Sequence, residues 1–320
     1  MTVSVGIIGT GGIAEKGHAL AFPYVPDAKL AAVLSREADK ARDFLVSHNA
    51  PGGKVHTLLD EFVADPDIDC VIVTSPDRLH ATHALACLQA GKDVLLEKPM
   101  TVSVAEAETL IRAAETHRRI LAVGFHLRSH LGHRALFDSI TQDHSIGDIC
   151  HIRALWAFPN KDDSNWRAGT DLGKWWSLAA VGSHCFDLVR WFAGDMADWK
   201  SFNATIGRQI WNGPHDETAV IAAQLQTGPT VEVVSSVQFG PADRLEIYGD
   251  KGAAICSGTF GRHGGGEITV NGDKLDFVKQ SPFIGQLQQF VDCVRTRQPP
   301  RVNAVAGLRS VRDLLLAYDC

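Results

Sequence analysis

The start of the chain constrains its fold more than any other segment. An apolar run with strand character, Val3–Gly9, turns at once into Gly9-Thr10-Gly11-Gly12-Ile13-Ala14. Each position in this G-x-G-x-x-A turn has a physical reason. The first glycine permits a tight strand-to-helix turn. The second lets a pyrophosphate approach bare backbone, and the small Ala14 lets the following helix sit close on the strand. The helix N-terminus then offers unpaired N–H groups and a positive dipole end to the phosphates. Glycine-rich turns also occur by chance. This one follows a strand, opens a helical pattern and heads the first of several strand–helix units, so it implies a dinucleotide site.

The pattern alternates up to about Phe125. Apolar β-branched runs at Leu30–Leu34, Cys70–Val73, Val94–Leu96 and Ile120–Val123 predict strands. Ala38–His48, Leu79–Ala90 and Val104–His117 predict the helices between them. Such alternation indicates a parallel sheet of βαβ units. After about Ser145 strand-like segments follow one another directly: Ile149–Phe158, Ala219–Leu225, Thr230–Phe239, Arg244–Tyr248 and Glu267–Val270. One helix near His184–Phe192 interrupts them, and two more, Phe283–Arg297 and Val305–Tyr318, close the chain. The second part reads as a mainly antiparallel sheet with helices, and the boundary falls near 123–127.

Composition bounds the function. At 320 residues the chain is long enough for two cores. A formal net charge of −6 argues against nucleic acid or an anionic membrane as the main partner. Seven cysteines, at 70, 87, 150, 185, 256, 293 and 320, form no C-x-x-C pair, so no metal site is indicated. They read as buried reduced thiols. The strand begins directly after Met1, leaving no room for a signal peptide, and no stretch matches a spanning helix. The expected location is the cytoplasm.

Several residues stand where chemistry is expected. After the second strand comes Leu34-Ser35-Arg36. An acid here would bind the ribose 2′-hydroxyl, whereas an arginine accommodates a 2′-phosphate. Ser35 and Arg36 therefore read as an NADP pocket, with a solvated turn as the plainer alternative. Glu37 follows them. The fourth strand ends in Thr74-Ser75-Pro76-Asp77-Arg78-Leu79-His80. Its small polar residues line a crevice, cap a helix with Ser75 or Asp77, or do both. Neither His80 nor His83 is given a catalytic role. The fifth strand ends in Glu97-Lys98-Pro99, which places a lysine where it can bond a ribose and a substrate hydroxyl. Further on, Gly182-Ser183-His184-Cys185-Phe186-Asp187 sets His184 and Asp187 on one helix face. A histidine near neutral pKa can exchange a proton with an alcohol as hydride moves. Trp156, Phe158, Trp166, Trp175 and Trp176 cluster before that helix. Their faces suit a sugar ring, or they serve packing. Trp191 and Trp199 read as core.

Together these residues resemble the glucose–fructose oxidoreductase / inositol dehydrogenase family. The shared pieces are GTGGIA at 9–14, TSPDRLH at 74–80, EKP at 97–99, VGFHLR at 123–128, WR at 166–167, GSHCFD at 182–187 and EIYGDKGA at 246–253. The resemblance implies an α/β chain: an NAD(P)-binding Rossmann domain over 1–124, then an α+β domain with an open-faced sheet over 125–320 for substrate binding and oligomerisation. It implies redox chemistry on sugars and polyols, with frequent dimers or tetramers. Lys98 and His184 match the family's catalytic lysine and histidine, and Trp166 and Arg167 match a pair near the nicotinamide. Gly9, Thr10, Gly11, Gly12, Ile13, Ser35, Arg36, Thr74, Ser75, Pro76, Asp77, His80, Glu97 and Lys98 are then expected along the cofactor. Arg128, Trp156, Trp176 and Asp187 are expected at the substrate.

Two departures stand out. Where the family has a glycine triplet and then an aspartate four residues before the histidine, this chain has Lys174-Trp175-Trp176 and Ala180. The missing acid removes a common proton partner, and the tryptophans are expected to reshape the substrate pocket. The expected activity is hydride transfer between nicotinamide C4 and a sugar- or polyol-like carbon, with NADP preferred, NAD possible and no metal. Two rivals stay open: a family glycosidase that uses bound NAD transiently, and a silent NADP-binding sensor.

Overall fold

The computed structural model describes residues 2–195 and 197–319. The chain divides into two compact units. One holds the residues up to Gly124 together with Phe283–Val311, the other Phe125–Pro282 together with the residues from Arg312 on.

The first unit runs β1 (Val3–Ile8), β2 (Ala28–Leu34), α1 (Ala38–Ser47), β3 (Lys54–His56), α2 (Leu59–Ala64), β4 (Cys70–Val73), α3 (His80–Gln89), β5 (Asp93–Leu96), α4 (Val104–Thr116) and β6 (Leu121–Val123). Every strand pairing in its sheet is parallel, in the order β3-β2-β1-β4-β5-β6. All residues of β1, β4, β5 and β6 are buried, which is why these strands read as unbroken apolar runs. Strand order reverses between β1 and β4, where Ile8 stands level with Val73 and with Leu34. In such sheets the crevice beyond the carboxyl ends at the reversal is the ligand site. Both the glycine turn and Thr74 begin there.

The second unit opens on a 3-10 turn at His126–Ser129 and α5 (Leu131–Thr141). Then follow β7 (Ile149–Ala157), a π-turn at Leu178–Gly182, α6 (Ser183–Ala193), β8 (Trp199–Gly207), β9 (Thr218–Leu225), β10 (Thr230–Ser236), β11 (Ala242–Gly249), β12 (Ala253–Ser257), β13 (Glu267–Val270) and β14 (Asp273–Lys274). Eight strands form one sheet in the order β14-β13-β12-β11-β7-β10-β9-β8. Only the β10–β7 pairing is parallel. In β9, Ala219, Ile221, Ala223 and Leu225 are buried while Val220 and Ala222 are exposed, so one face is core and the other open. Helix α6 lies against β7 and β10, with Ser183 through Phe192 all buried.

The chain closes with α7 (Pro282–Thr296) and α8 (Ala304–Asp319). Three expectations are corrected here. First, residues 125–320 are not one continuous domain. Phe283, Leu287, Phe290 and Val291 of α7 join Val5, Ile7 and Val33 in the core of the first unit. The Val123 amide also bonds the Val302 carbonyl, and Ala122 bridges Asn303 at the sheet edge. Second, the glycine turn leads into a π-turn at Ala14–His18 and a 3-10 stretch at Ala19–Tyr24 instead of a regular helix. Pro23 inside that stretch has no N–H to extend a helical ladder. Third, Cys150 is exposed. The other described cysteines are buried, all six are free thiols, and Cys320 lies outside the described residues. Among the described residues no helix is long and apolar enough to cross a membrane.

Candidate active site

In the first unit the glycine turn is shaped for close approach. Gly9 has φ +98°, a left-handed conformation, and a Cβ there would lie 3.0 Å from Thr74 Oγ1. Thr74 Oγ1 donates to the Ile8 carbonyl at 2.8 Å, joining the ends of β1 and β4. Gly11 and Gly12 are exposed, and nothing stands within 4 Å of where their Cβ atoms would be. A Cβ at either position would fill the space that a pyrophosphate needs above bare backbone. These residues therefore fit a dinucleotide.

At the end of β2 the Ser35 amide donates to the His56 carbonyl, and Arg36 is exposed. Glu37 is held by Lys40 at 2.7 Å, one turn along α1. At the end of β4, Thr74, Ser75 and Asp77 are buried, while Pro76 is half-buried. His80 is also buried, its two ring nitrogens each 2.7 Å from a carbonyl, those of Ser75 and Pro99. It ties the loop after β4 to the loop after β5. His83 meets Ser75 Oγ at 2.9 Å. Burial, helped by His80, pushes His83 down to about 4.

Lys98 is 8% exposed. Glu97 beside it is turned inward: its carboxylate accepts from the Lys98 amide at 3.1 Å and meets His18 Nε2 at 2.8 Å. The acid thus braces the backbone that carries the lysine.

In the second unit His184, 2% exposed, sits in the first turn of α6. Its ring lies 4.8 Å from that of His126, 5.2 Å from Trp156 and 5.8 Å from Phe125. Asp187 is one turn further along α6 and is engaged elsewhere. Arg128 Nε donates to both of its oxygens at 3.0 Å, and Arg128 Nη2 donates at 2.7 Å. Asp195 accepts from the same guanidinium at 3.0 and 2.8 Å. Arg128 and Asp187, both expected at the substrate, form a buried ion pair with each other. Burial pushes the Asp187 carboxyl up to about 6 against the pull of Arg128.

The substituted segment has its own anchor. Asp216, wholly buried, accepts from the Trp176 amide at 2.8 Å, Ser177 Oγ at 2.6 Å and the Leu178 amide at 2.6 Å. It holds the three residues that feed the π-turn ahead of His184. Trp175 is core. Trp176 is 2% exposed and stacks on Trp211 with centroids 4.6 Å apart. Trp156 is half-buried, Trp191 is buried, and Trp199, half-buried, donates its indole N–H to Asp313 at 2.7 Å. The Arg167 guanidinium lies over the Trp166 ring at 4.0 Å.

With this geometry in view, residues 3–125 match the family model for an oxidoreductase family with an NAD-binding Rossmann fold, and residues 137–255 match the GFO/IDH/MocA C-terminal domain. The chain is 33% identical to scyllo-inositol 2-dehydrogenase (NADP(+)) of Bacillus subtilis over 283 residues, 87% of this chain and 69% of that protein. The chain belongs to the Gfo/Idh/MocA oxidoreductase family. As a member it is an NAD(P)-dependent oxidoreductase. Myo-inositol 2-dehydrogenase of Thermotoga maritima is 25% identical over 98% of this chain and 94% of its own length. Among solved structures, the aldose–aldose oxidoreductase of Caulobacter crescentus superposes with a TM-score of 0.91, covering 100% of this chain and 97% of that one at 22% identity. That likeness is one of fold.

Four residues that touch the candidate site residues escaped sequence reasoning: His18, His126, Trp211 and Asp216. His126 lies inside VGFHLR, a segment read for its resemblance and not for its histidine. The other three have no local signal, because each works through a partner at least 35 residues away in the chain.

Proposed function

We propose that this chain is an NADP-preferring dehydrogenase or reductase acting on a CH–OH carbon of a sugar- or polyol-like substrate. The observation that carries the reading is His184, an ionisable ring set among Phe125, His126 and Trp156. Aromatic faces of this kind suit the apolar face of a sugar ring. When bound, the nicotinamide cofactor accepts or supplies the hydride. Gly9, Thr10, Gly11, Gly12 and Ile13 would hold its pyrophosphate. Ser35 and exposed Arg36 would take a 2′-phosphate, a reading favoured by Glu37 being occupied with Lys40. Thr74, Ser75, Pro76 and Asp77 would line its crevice, with His80 and Glu97 bracing the two loops. Trp166 and Arg167 are assigned to the nicotinamide end.

His184 takes the substrate hydroxyl proton during oxidation and returns it during reduction. Lys98 polarises the reacting oxygen. Trp156, against the His184 ring, is the substrate platform, and Trp176, stacked on Trp211, is assigned to the same substrate. The open face of the eight-stranded sheet, with Val220 and Tyr248 exposed, covers itself against a second copy, giving a dimer or tetramer. The relatives named for inositol support the substrate class.

A panel of sugars, polyols and inositols, followed by nicotinamide absorbance with NADP and with NAD, tests the reading. Net cofactor turnover on a polyhydroxy substrate is the expected result. Glycoside cleavage without net turnover supports the transient-NAD glycosidase instead. Tight cofactor binding with neither activity supports a sensor.

A further inference from the structure

We propose that His18 is the positioning residue for Lys98. Through Glu97 it ties the turn that follows the glycine motif to the backbone of the lysine, so that the seat of the dinucleotide and the lysine are built as one unit. This rests on the reading of Lys98 as the group that polarises the reacting oxygen.

The connection begins at the glycine turn. Gly9–Ala14 leads straight into the π-turn at Ala14–His18, and the Glu15 amide closes onto the Gly11 carbonyl at 3.0 Å. His18 ends that turn, so its ring is carried by the same short stretch of backbone as the glycines. Gly17 just before it lets Phe283 come close, since a Cβ there would stand 2.9 Å from the Phe283 ring. Phe283 meets the His18 ring edge-on, with centroids 5.0 Å apart and planes at 80°. The imidazole is thus held by packing, and its Nε2–H donates to Glu97 Oε1 at 2.8 Å.

Glu97 passes the constraint on. Its Oε2 accepts from the Lys98 amide at 3.1 Å. Gly124, just past β6, leaves room for the carboxylate, because a Cβ there would lie 2.8 Å from Oε1. On the other side of Lys98, the Pro99 carbonyl bonds His80 Nδ1 at 2.7 Å. Two buried histidines therefore bracket the lysine, His18 from the turn after β1 and His80 from the segment after β4. The last torsion of a glutamate side chain is soft, so bonds to both oxygens are what orient its carboxylate. Removing the His18 N–H takes away one of those bonds, and it leaves a buried oxygen short of a donor. A reacting group must be held to a fraction of an ångström by its supporting bonds. A shift in Glu97 is passed to the Lys98 backbone and from there to the ammonium group.

A double-mutant cycle with Lys98→Ala, on the substrate that the panel identifies, tests the proposal. His18→Phe keeps a ring against Phe283 and removes the N–H. It should lower kcat about ten- to a hundred-fold, as a misplaced group does. His18→Gln, which offers an amide donor in place of the imidazole N–H, should restore most of that loss. In the Lys98→Ala background, His18→Phe should change kcat little, because the residue it positions is gone. A loss of the same size in both backgrounds marks a packing role and overturns the proposal. A second readout needs neither substrate nor cofactor. By NMR, deuterium exchange of the Lys98 amide should speed up in His18→Phe by more than that of the Val94 amide, which bonds the Ile120 carbonyl. No change at Lys98, or the same change at both amides, overturns the proposal. If His18→Phe does not fold, His18→Asn, whose amide stops short of Glu97, replaces it in both measurements. If Lys98→Ala keeps the wild-type rate, the reading of Lys98 fails. If Lys98→Ala is slow while His18→Phe is as fast as the wild type, only the positioning by His18 fails.

Discussion

Arg128 and Asp187 are held to each other: the guanidinium makes three bonds of 2.7–3.0 Å to the carboxylate, both groups buried. Removing one member of such a pair leaves the other charged and desolvated, at a cost of about 3–5 kcal/mol. Asp187→Ala should therefore lower stability by roughly that amount in urea unfolding. Asp195→Ala should cost about 1 kcal/mol or less, because the Asp195 side chain is 44% exposed. Equal midpoints for the two variants would show that the inner pair does not carry the stability.

Cofactor choice is expected to follow Arg36. A charge-assisted bond to a 2′-phosphate contributes about 1.5–3 kcal/mol, or about ten- to a hundred-fold in affinity. Calorimetric titration should show NADP binding more tightly than NAD in the wild type and the gap closing in Arg36→Ala. Equal wild-type affinities would refute the assignment.

Lys98 and His184 should separate kinetically. Positioned acid–base groups contribute about 10²–10⁴-fold in rate. His184→Ala should lose about that factor in kcat with cofactor affinity little changed. Lys98→Ala should damage both turnover and cofactor affinity, because it stands two residues past the end of β5, beside the crevice. A His184→Ala enzyme as fast as the wild type would send the search for the acid to Lys98 or Lys174.

Acid should destabilise the protein partly through its neutral histidines. His83 and His133 are held down to about 4 and about 3 by burial, from an ordinary 6.5. As pH falls below 6.5 the unfolded chain binds protons that the folded chain refuses. The stability these two groups hold above that pH is therefore lost, at up to about 1.4 kcal/mol per proton per pH unit. Asp187, raised to about 6, works the opposite way and offsets part of the slope. Removing one histidine isolates its share: His83→Gln should flatten the dependence between 6.5 and about 4. An unchanged slope would contradict the neutral state of His83.

Assembly is tested most directly in solution. With one face of the eight-stranded sheet open, light scattering at micromolar concentration should give a dimer or tetramer. Val220→Lys, on the open face of β9, should shift it toward monomer. A monomer in the wild type would rule the arrangement out.

The parallel sheet was legible because its strands are buried on both faces and its helices on one. That leaves apolar runs such as Cys70–Val73 and amphipathic stretches such as Val104–Thr116 in plain view. Lys54–His56 was not, being short and exposed or half-buried along its length. The return of α7 to the first unit was equally hidden. Its apolar face at Phe283, Leu287 and Phe290 says that it must be covered, without saying by what.

The same division runs through the site. By itself the sequence determined the glycine turn, Lys98 at a strand end and His184 at the start of a helix, because local backbone geometry and short spacing suffice for each. Only the tertiary structure decided the partners. Asp187 is three residues from His184 yet belongs to Arg128, 59 residues away. His126 reaches His184 from another element, and Asp216 holds a segment 38–40 residues distant. A buried charge or ring must find its complement wherever the fold brings one, and proximity along the chain carries no information about that.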